Sequence, residues 1–306
     1  MTRFRKEYSK IARKLTSADL QSGIGNSELS LDNIVSDGRL AVDSQFFMGV
    51  FSRQGLLNAI RAFGLLDILA RKGLTNITID IDTSDPYIHR LYAYSGKPLN
   101  ENKICELVLK QGPLHFENKP LSSFPRRTAN ILYIEWLLLQ NPREKFSPAK
   151  PPLPGQNYPG LGIGDRLMEI MILMTRRLNL EGIINKPHYF HTAFMFSKEF
   201  VFINPYNQAL MYAISKDLLA KYSFWTVAWA AHFNCIINKN DGKPMDWKTG
   251  DLILPFTKDL IKYFRGREYQ QDVSRHIANF SFEIDLDKLH TALKSNDLEK
   301  YARFPK

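Results

Sequence analysis

The sequence predicts a mixed α/β (α+β) fold, with a central mixed sheet flanked by helices and helical additions at both ends. Apolar residues at helical spacing across 43–72 are followed by four short runs of strand character and then by alternating helix and strand units. A chain of 306 residues with 44% hydrophobic content is long and apolar enough to bury a substantial core. The glycine-rich stretch 151–164, PPLPGQNYPGLGIG, runs directly into an amphipathic helix.

Each element has its own sequence signal. The spacing across 43–72 predicts two helices separated near 52–55, and strands are predicted at 76–82, 87–94, 103–110 and 130–140. Further helices are predicted at 165–180, 187–198, 208–233, 255–265, 269–277 and 286–293, and further strands at 182–185, 200–204 and 279–284. We expect a basic N-terminal extension at 1–40, a main α/β domain with the glycine-loop site at 41–235, and a C-terminal α/β extension at 236–306 packed on the main domain.

The charge of the chain favours anionic partners. The formal net charge is +10, and its densest cluster comprises Arg3, Arg5, Lys6, Lys10, Arg13 and Lys14. Such a cluster is typical of a solvated helix face or a mobile arm, and without a recognised nucleic-acid-binding motif a nucleic acid partner is possible but not favoured. No apolar run reaches the roughly 18 residues of a membrane span, and no secretory signal is recognised. We expect a cytoplasmic protein with Cys105 and Cys235 reduced.

The glycine-rich stretch predicts an anion site. Its glycines open a helix, where backbone N–H groups without helical partners face the positive end of the helix dipole and can hold a phosphate or pyrophosphate. No GxGxxG follows a strand with an acidic residue about twenty positions on, and GxxxxGK[ST] does not occur. GxSxG is absent as well, which disfavours serine hydrolase chemistry.

From residue 131 to about 202 the order strand, glycine loop, helix, strand, helix, strand resembles the cofactor-binding half of the GCN5-related N-acetyltransferase superfamily. In that family a Gln/Arg-x-x-Gly-x-Gly/Ala turn holds the pyrophosphate of acyl-CoA through its backbone amides. The run NYPGLG at 157–162 aligns with this turn, with Asn157 in place of Gln or Arg, and Pro159 removes one amide donor. The resemblance implies acetyl-CoA or another acyl-CoA as cofactor, bound by Asn157, Gly160, Leu161, Gly162, Ile163, Gly164 and Asp165.

The same resemblance implies transfer of an acyl group from acyl-CoA to an amine of a small molecule or peptide. Glu135 is then the candidate base that takes the proton from the amine, and burial between its neighbours on the strand would suit this role. The family's general-acid tyrosine aligns with Phe196, so Tyr189 or His191 becomes the candidate acid. Two alternatives stay open: Glu135 pairs with an arginine, or the chain is a binding protein that keeps the fold without the chemistry.

Carboxylates at the end of the first predicted strand suggest a different chemistry. Asp80, Asp82 and Asp85 offer the hard oxygen ligands of a Mg²⁺-dependent nuclease or phosphotransferase, with His89 nearby and Glu135 as a distant third acid. The alternative is that these aspartates end the strand and begin the turn that follows.

Two further groups of aromatic residues have candidate roles. His188 and His191, three residues apart, would share a helix face, but no HExxH or cysteine partner completes a zinc site. We interpret them as packing and capping residues and predict no metal. Trp225, Trp229 and His232 have helical spacing and are interpreted as core.

Overall fold

The computed structural model describes residues 4–23, 46–115 and 128–302. Helices lie at Arg5–Lys14 (α1), Ser17–Leu20 (α2), Arg53–Ala62 (α3), Leu65–Ala70 (α4), Gly164–Arg177 (α5), Phe190–Phe196 (α6), Pro205–Ile214 (α7), Phe224–His232 (α8), Lys258–Arg265 (α9), Arg267–Ile277 (α10) and Leu286–Ser295 (α11). Strands lie at Ile77–Asp82 (β1), Ile88–Ser95 (β2), Lys103–His115 (β3), Thr128–Leu139 (β4), Gly182–Asn185 (β5), Val201–Phe202 (β6), Ile236–Asn238 (β7), Lys243–Pro244 (β8), Leu252–Pro255 (β9) and Phe282–Ile284 (β10). Arg3 and residues 43–45 of the predicted helical region lie outside the described residues.

The strands form a large sheet and a small one. In the large sheet the order is β1-β2-β3-β4-β5-β9-β6, and in the small one it is β10-β7-β8. β1 and β2 are antiparallel, with Ile77 opposite Ser95, and β5 and β9 are antiparallel, with Asn185 opposite Leu252. A mixed α+β fold with a large sheet flanked by helices is therefore confirmed.

Contacts within the chain define two compact units, each made of separate segments. The first unit comprises 1–112, 133–143 and 160–178, and the second comprises 113–132, 144–159 and 179–306. The boundary falls inside the glycine-rich stretch, so that 151–159 belongs to the second unit and 160–164 to the first. The expected domain limits at 40 and 235 stay a prediction.

Two buried clusters stabilise the first unit. In one of them, Leu161 and Ile163 of the glycine-rich stretch pack with Leu74 and Ile104. Leu161 is only 1% exposed and Ile163 only 6% exposed. The other cluster contains Phe4 and Tyr8 of α1, Phe63 and Leu65, against which the apolar side of α5 packs. Burial of the two apolar side chains holds the turn before α5 in place, while Gly160, Gly162 and Gly164 remain exposed.

The second unit has its core around β5, β9 and the helices that follow them. Phe202, Leu252 and Ile253 are fully buried, and the hydroxyl of Tyr269 donates a hydrogen bond of 2.5 Å to the backbone oxygen of Phe202. Burial raises the pKa of this tyrosine far above its usual value, so it remains a donor at all physiological pH values.

Several sequence predictions about the elements were wrong in detail. The long helix expected at 208–233 is two helices, because a π-helical turn at Ser215–Leu219 ends the first segment and Ser223 caps α8 by accepting from the amide of Thr226. The two early helices separate at Gly64, which has a φ of 70°, and not near 52–55, where Ser52 caps α3. β7, β8 and β9 were missed. Cys105 and Cys235 form no disulfide among the described residues, and their reduced state stays a prediction.

Candidate functional site

The glycine turn of the first unit ends at the N-terminus of α5. Gly162 has a φ of 66°, a left-handed conformation that costs other residues about 1–2 kcal/mol. Ile163 is the N-cap residue and supplies no side-chain hydrogen bond to the helix. The first turn of α5 therefore lacks the oxygen acceptor that a serine, threonine or aspartate cap would provide.

The amides of this turn are left open. Arg166 and Leu167 donate to the backbone oxygen of Ile163 at 3.0 and 2.9 Å, and they are the first amides of the helix to be paired. Among the residues that the structure describes, no oxygen accepts from the N–H groups of the five positions before them, Leu161 to Asp165. Consecutive free N–H groups at a helix N-terminus attract an anion through their partial positive charge.

Space and charge at the turn also suit an anion. A Cβ built on Gly164 would meet nothing within 4 Å, and one built on Gly162 would meet only the Nζ atom of Lys72, at 4.0 Å. Within the described ranges Lys72 forms no ion pair, so its ammonium group is available to a ligand at this turn. Sequence reasoning missed Lys72, because nothing local in the sequence connects the end of α4 to a turn so far along the chain.

Glu135 lies on β4 in the first unit and is exposed. The expectation that its strand neighbours bury it is wrong, because Trp136 itself is 53% exposed. Over the described part of the chain Glu135 has no ion pair, so pairing with an arginine is not observed either. Gly160 approaches the end of the same strand, since a Cβ there would lie 3.8 Å from the backbone oxygen of Leu139.

The segment 151–159 has a different role in the second unit. The indole nitrogens of Trp225 and Trp229 both donate to the backbone oxygen of Pro152, at 2.8 and 3.0 Å. Gly155 has a φ of 75°, and a Cβ there would lie 2.5 Å from the Tyr189 ring, so only glycine fits without displacing that ring. Asn157 is exposed, and its side chain makes no hydrogen bond to any described residue.

Tyr189 and His191 come together in the second unit. Their rings stack at 5.4 Å between centroids, and Tyr189 also contacts His188 at 4.8 Å and His232 at 5.9 Å. His191 is only 4% exposed, and its Nδ1 atom has no partner among the described residues. Burial, and secondarily the charge of His232, lowers the pKa of His191 to about 4, so this imidazole is neutral at pH 7.

Asn185, at the end of β5, is a polar residue that sequence reasoning missed. It is 4% exposed, and neither its amide oxygen nor its amide nitrogen has a partner within the described ranges. A buried polar group without a partner costs about 1–3 kcal/mol. In sequence Asn185 reads as the last residue of an apolar strand, and nothing there signals its isolation.

The aspartates at the end of β1 serve the local structure. Asp80 pairs with Arg53 at 2.6 Å, and Asp82 accepts from the hydroxyl and amide of Ser84 at 2.6 and 3.1 Å. Asp85 accepts from the amide of Tyr87 at 2.8 Å. In residues 4–23, 46–115 and 128–302, no group of three or more His, Cys, Asp or Glu side chains is placed to hold a metal ion.

The histidine and tryptophan predictions have mixed outcomes. Trp225 and Trp229 are buried, as predicted, at 7% and 8% exposure, whereas His232 is exposed, so the expectation that it belongs to the core is wrong. His188 is exposed on the loop before α6, and its backbone oxygen accepts from the indole of Trp247 at 3.2 Å. No helix among the described residues is long and apolar enough to cross a membrane.

Comparison with known proteins gives few relatives. No family model matches the chain, and no curated protein matches it. The chain is similar to the solved structure of AtaT complexed with acetyl-methionyl-tRNAfMet, at 12% identity and a TM-score of 0.26, over 53% of this chain and 84% of that chain. It is also similar to a variant of KacT, at 12% identity and a TM-score of 0.25, over 51% of this chain and 81% of that chain. Likeness at these TM-scores defines neither a fold family nor an activity.

Proposed function

We propose that this protein is an acyl-CoA-dependent N-acyltransferase that binds the pyrophosphate of acetyl-CoA or another acyl-CoA at the N-terminus of α5. The proposal is carried by the open N–H groups of Leu161 to Asp165, for which no described residue supplies an acceptor. The element order β4, glycine turn, α5, β5, α6, β6 supports it, because this order is the one on which the resemblance to GCN5-related N-acetyltransferases depends. The reaction would take place in the cytoplasm.

The residues of the turn fit a pyrophosphate group. The absence of side chains at Gly160, Gly162 and Gly164 lets a ligand approach the backbone closely, and Leu161 and Ile163 keep the turn fixed through burial. The ammonium group of Lys72 adds a full positive charge to the partial charge of the helix terminus. Preorganised donors of this kind bind an anion without having to rearrange.

The transfer step needs a base and an acid. Bound acyl-CoA supplies the thioester carbonyl that an amine nitrogen attacks, and the C–S bond breaks as the new C–N bond forms. Glu135, exposed and without an ion pair among the described residues, is proposed to take the proton from the amine. Backbone N–H groups would stabilise negative charge on the carbonyl oxygen, and the departing thiolate would need a proton from an acidic side chain.

Tyr189 is the better of the two candidate acids. With its pKa lowered to about 4, His191 carries no imidazolium proton to donate at pH 7. Its ring stacks on Tyr189 and thereby helps to fix the position of the phenol. Of the two, we therefore propose Tyr189 as the acid, and His191 contacts its ring within the second unit.

Titration calorimetry with acetyl-CoA tests the binding claim. Lys72→Glu should weaken binding by about tenfold or more, equivalent to about 1.4 kcal/mol, because it places a carboxylate beside the pyrophosphate. Lys97→Glu is the matched control, since it makes the same charge change at an exposed lysine elsewhere in the first unit and should bind as the wild type does. No binding heat for the wild type at millimolar acetyl-CoA would reject the cofactor.

Turnover is tested separately from binding. Glu135→Gln should retain acetyl-CoA binding and lose acyl transfer to a panel of small amines and peptides. Tight binding by the wild type without turnover of any amine would instead support a binding protein that keeps the fold without the chemistry.

A further inference from the structure

Four cationic side chains lie along one side of α1. Lys6, Lys10, Arg13 and Lys14 have the spacing i, i+4, i+7 and i+8, which places them within an arc of about 100° on the helix surface. All four are exposed, and in the part of the chain that the structure describes none of them forms an ion pair or a side-chain hydrogen bond. Glu7 is the only acidic residue in the α1 sequence. We call these four residues the α1 stripe.

The helix that carries the α1 stripe is firmly attached to the first unit. Tyr8 is fully buried, its hydroxyl donates to the backbone oxygen of Phe63 at 3.1 Å, and Arg166 donates to the same hydroxyl at 2.9 Å. Arg5 forms an ion pair of 3.0 Å with Glu169, whose side chain is 1% exposed. α1 is therefore a docked helix that presents its cations in fixed positions, and not a loose basic arm.

We propose that the α1 stripe binds the phosphodiester backbone of a duplex nucleic acid. From Lys6 to Lys14 the helix rises about 12 Å at 1.5 Å per residue. One strand of a duplex carries one negative charge about every 3.4 Å along its axis, so a length of about 12 Å of duplex carries three to four phosphates on one strand. The number of cations matches the number of charges. Contacts to phosphates alone carry no base readout, so the binding is independent of sequence.

An anionic membrane is the less favoured partner for this helix. Membrane-surface helices insert their apolar side between lipid chains. In α1 that side is already occupied, because Phe4 and Tyr8 are buried in the core, and Ile11 and Leu15 pack against them. Only the charged side of α1 is exposed to solvent, and it suits contact with the surface of a polyanion.

Fluorescence anisotropy with labelled RNA and DNA duplexes of about 20 base pairs and the same sequence tests the proposal. With four phosphate contacts, wild-type affinity should fall about a hundredfold between 50 and 200 mM salt. The variant with Lys6, Lys10, Arg13 and Lys14 all changed to glutamine should lower the slope of log K against log salt by about 3.6. The matched control changes Lys216, Lys221, Lys239 and Lys243, all exposed in the second unit, to glutamine and should retain the wild-type slope.

The two variants remove the same number of charges from a chain of net charge +10, so a general charge effect would weaken both equally and would overturn the proposal. Absence of duplex binding by the wild type, or binding to anionic vesicles alone, would also overturn it. If the fourfold α1 variant fails to fold, Lys10→Gln alone should lower the slope of log K against log salt by about 0.9. Lys10→Arg, which keeps the positive charge, should have the same slope as the wild type. Comparison of the two duplexes shows whether RNA or DNA is preferred. Duplex binding is measured without acyl-CoA, so its result is independent of the proposed acyltransferase function.

Discussion

The two halves of the glycine-rich stretch differ in what their backbone polar groups do. In 151–159 the oxygen of Pro152 accepts from two indoles, the amide of Leu153 donates to the side chain of Gln156, and Gly155 packs on Tyr189. In 160–165 the N–H groups have no acceptor among the described residues. A Cβ on Gly160 would meet only the backbone oxygen of Leu139, one on Gly162 only the ammonium group of Lys72, and one on Gly164 nothing within 4 Å. Glycine therefore permits close packing in 151–159 and leaves space for a ligand in 160–165.

What a Cβ would meet at each glycine separates the glycines of the proposed site from those required for packing. A glycine is required for packing where a Cβ would meet an ordered ring, and it is available for binding where a Cβ would meet nothing. By this criterion Gly162 and Gly164 belong to the proposed pyrophosphate site, whereas Gly155 serves packing against Tyr189 in the second unit. Alanine substitutions at the two kinds of position should then differ in how much they lower the free energy of unfolding.

The largest expected effect on stability is at Gly155. Gly155→Ala should lower the free energy of unfolding by about 2–4 kcal/mol, because alanine is strained at a φ of 75° and its methyl group would displace the Tyr189 ring. Chemical denaturation followed by tryptophan fluorescence measures the change.

The matched substitution is Gly164→Ala, which should change the free energy of unfolding by less than about 0.5 kcal/mol, because its methyl group has open space at the start of a helix. Equal losses for the two alanine variants would show that the two halves do not differ in packing.

A pH-dependent effect is expected from His191, which supports the packed half through its stack with Tyr189. Its pKa is about 4 in the folded protein against 6.5 in the unfolded chain, because burial disfavours the imidazolium form. Below pH 6.5 the unfolded state takes up a proton that the folded state does not, so stability falls as the pH falls. The slope is at most about 1.4 kcal/mol per pH unit and ends near pH 4.

His191→Phe keeps an aromatic ring on Tyr189 and removes the titrating group. The difference in unfolding free energy between wild type and variant should therefore change with pH between 6.5 and 4. The slope of this change is at most about 1.4 kcal/mol per pH unit, which corresponds to one proton. His89, whose pKa burial also lowers, is present in both proteins, and its contribution cancels in the comparison. A difference that is constant with pH would contradict a neutral, buried His191.

The sequence predicts most of the fold because its signals are local. The strand expected at 76–82 is β1, Ile77–Asp82, and the helix expected after the glycines is α5, since alternating and helical apolar spacing are visible without knowledge of distant contacts. β7, β8 and β9 were missed because such short strands, two of them beside a polar loop, are defined by their partners and not by their own composition.

The candidate site is predicted less completely for the same physical reason. The proposed anion site at Gly160 to Asp165 follows from local rules about helix termini, and so the sequence alone predicts it. Three other features depend on which segments pack together, namely the position of Lys72 at the turn, the exposure of Glu135, and the fixing of 151–159 by Trp225 and Trp229. No spacing in the sequence reports these contacts.

The most direct test of the pyrophosphate site is the backbone amide spectrum of ¹⁵N-labelled protein titrated with acetyl-CoA. Acetyl-CoA should cause saturable shifts that are largest at the amides of Leu161 to Asp165, with little change at Gly155 and Gln156. Inorganic pyrophosphate should shift the same amides at higher concentration. Saturable shifts centred on 151–157, or no shifts at Leu161 to Asp165 at millimolar acetyl-CoA, would contradict the claim that the open amides of α5 hold the cofactor.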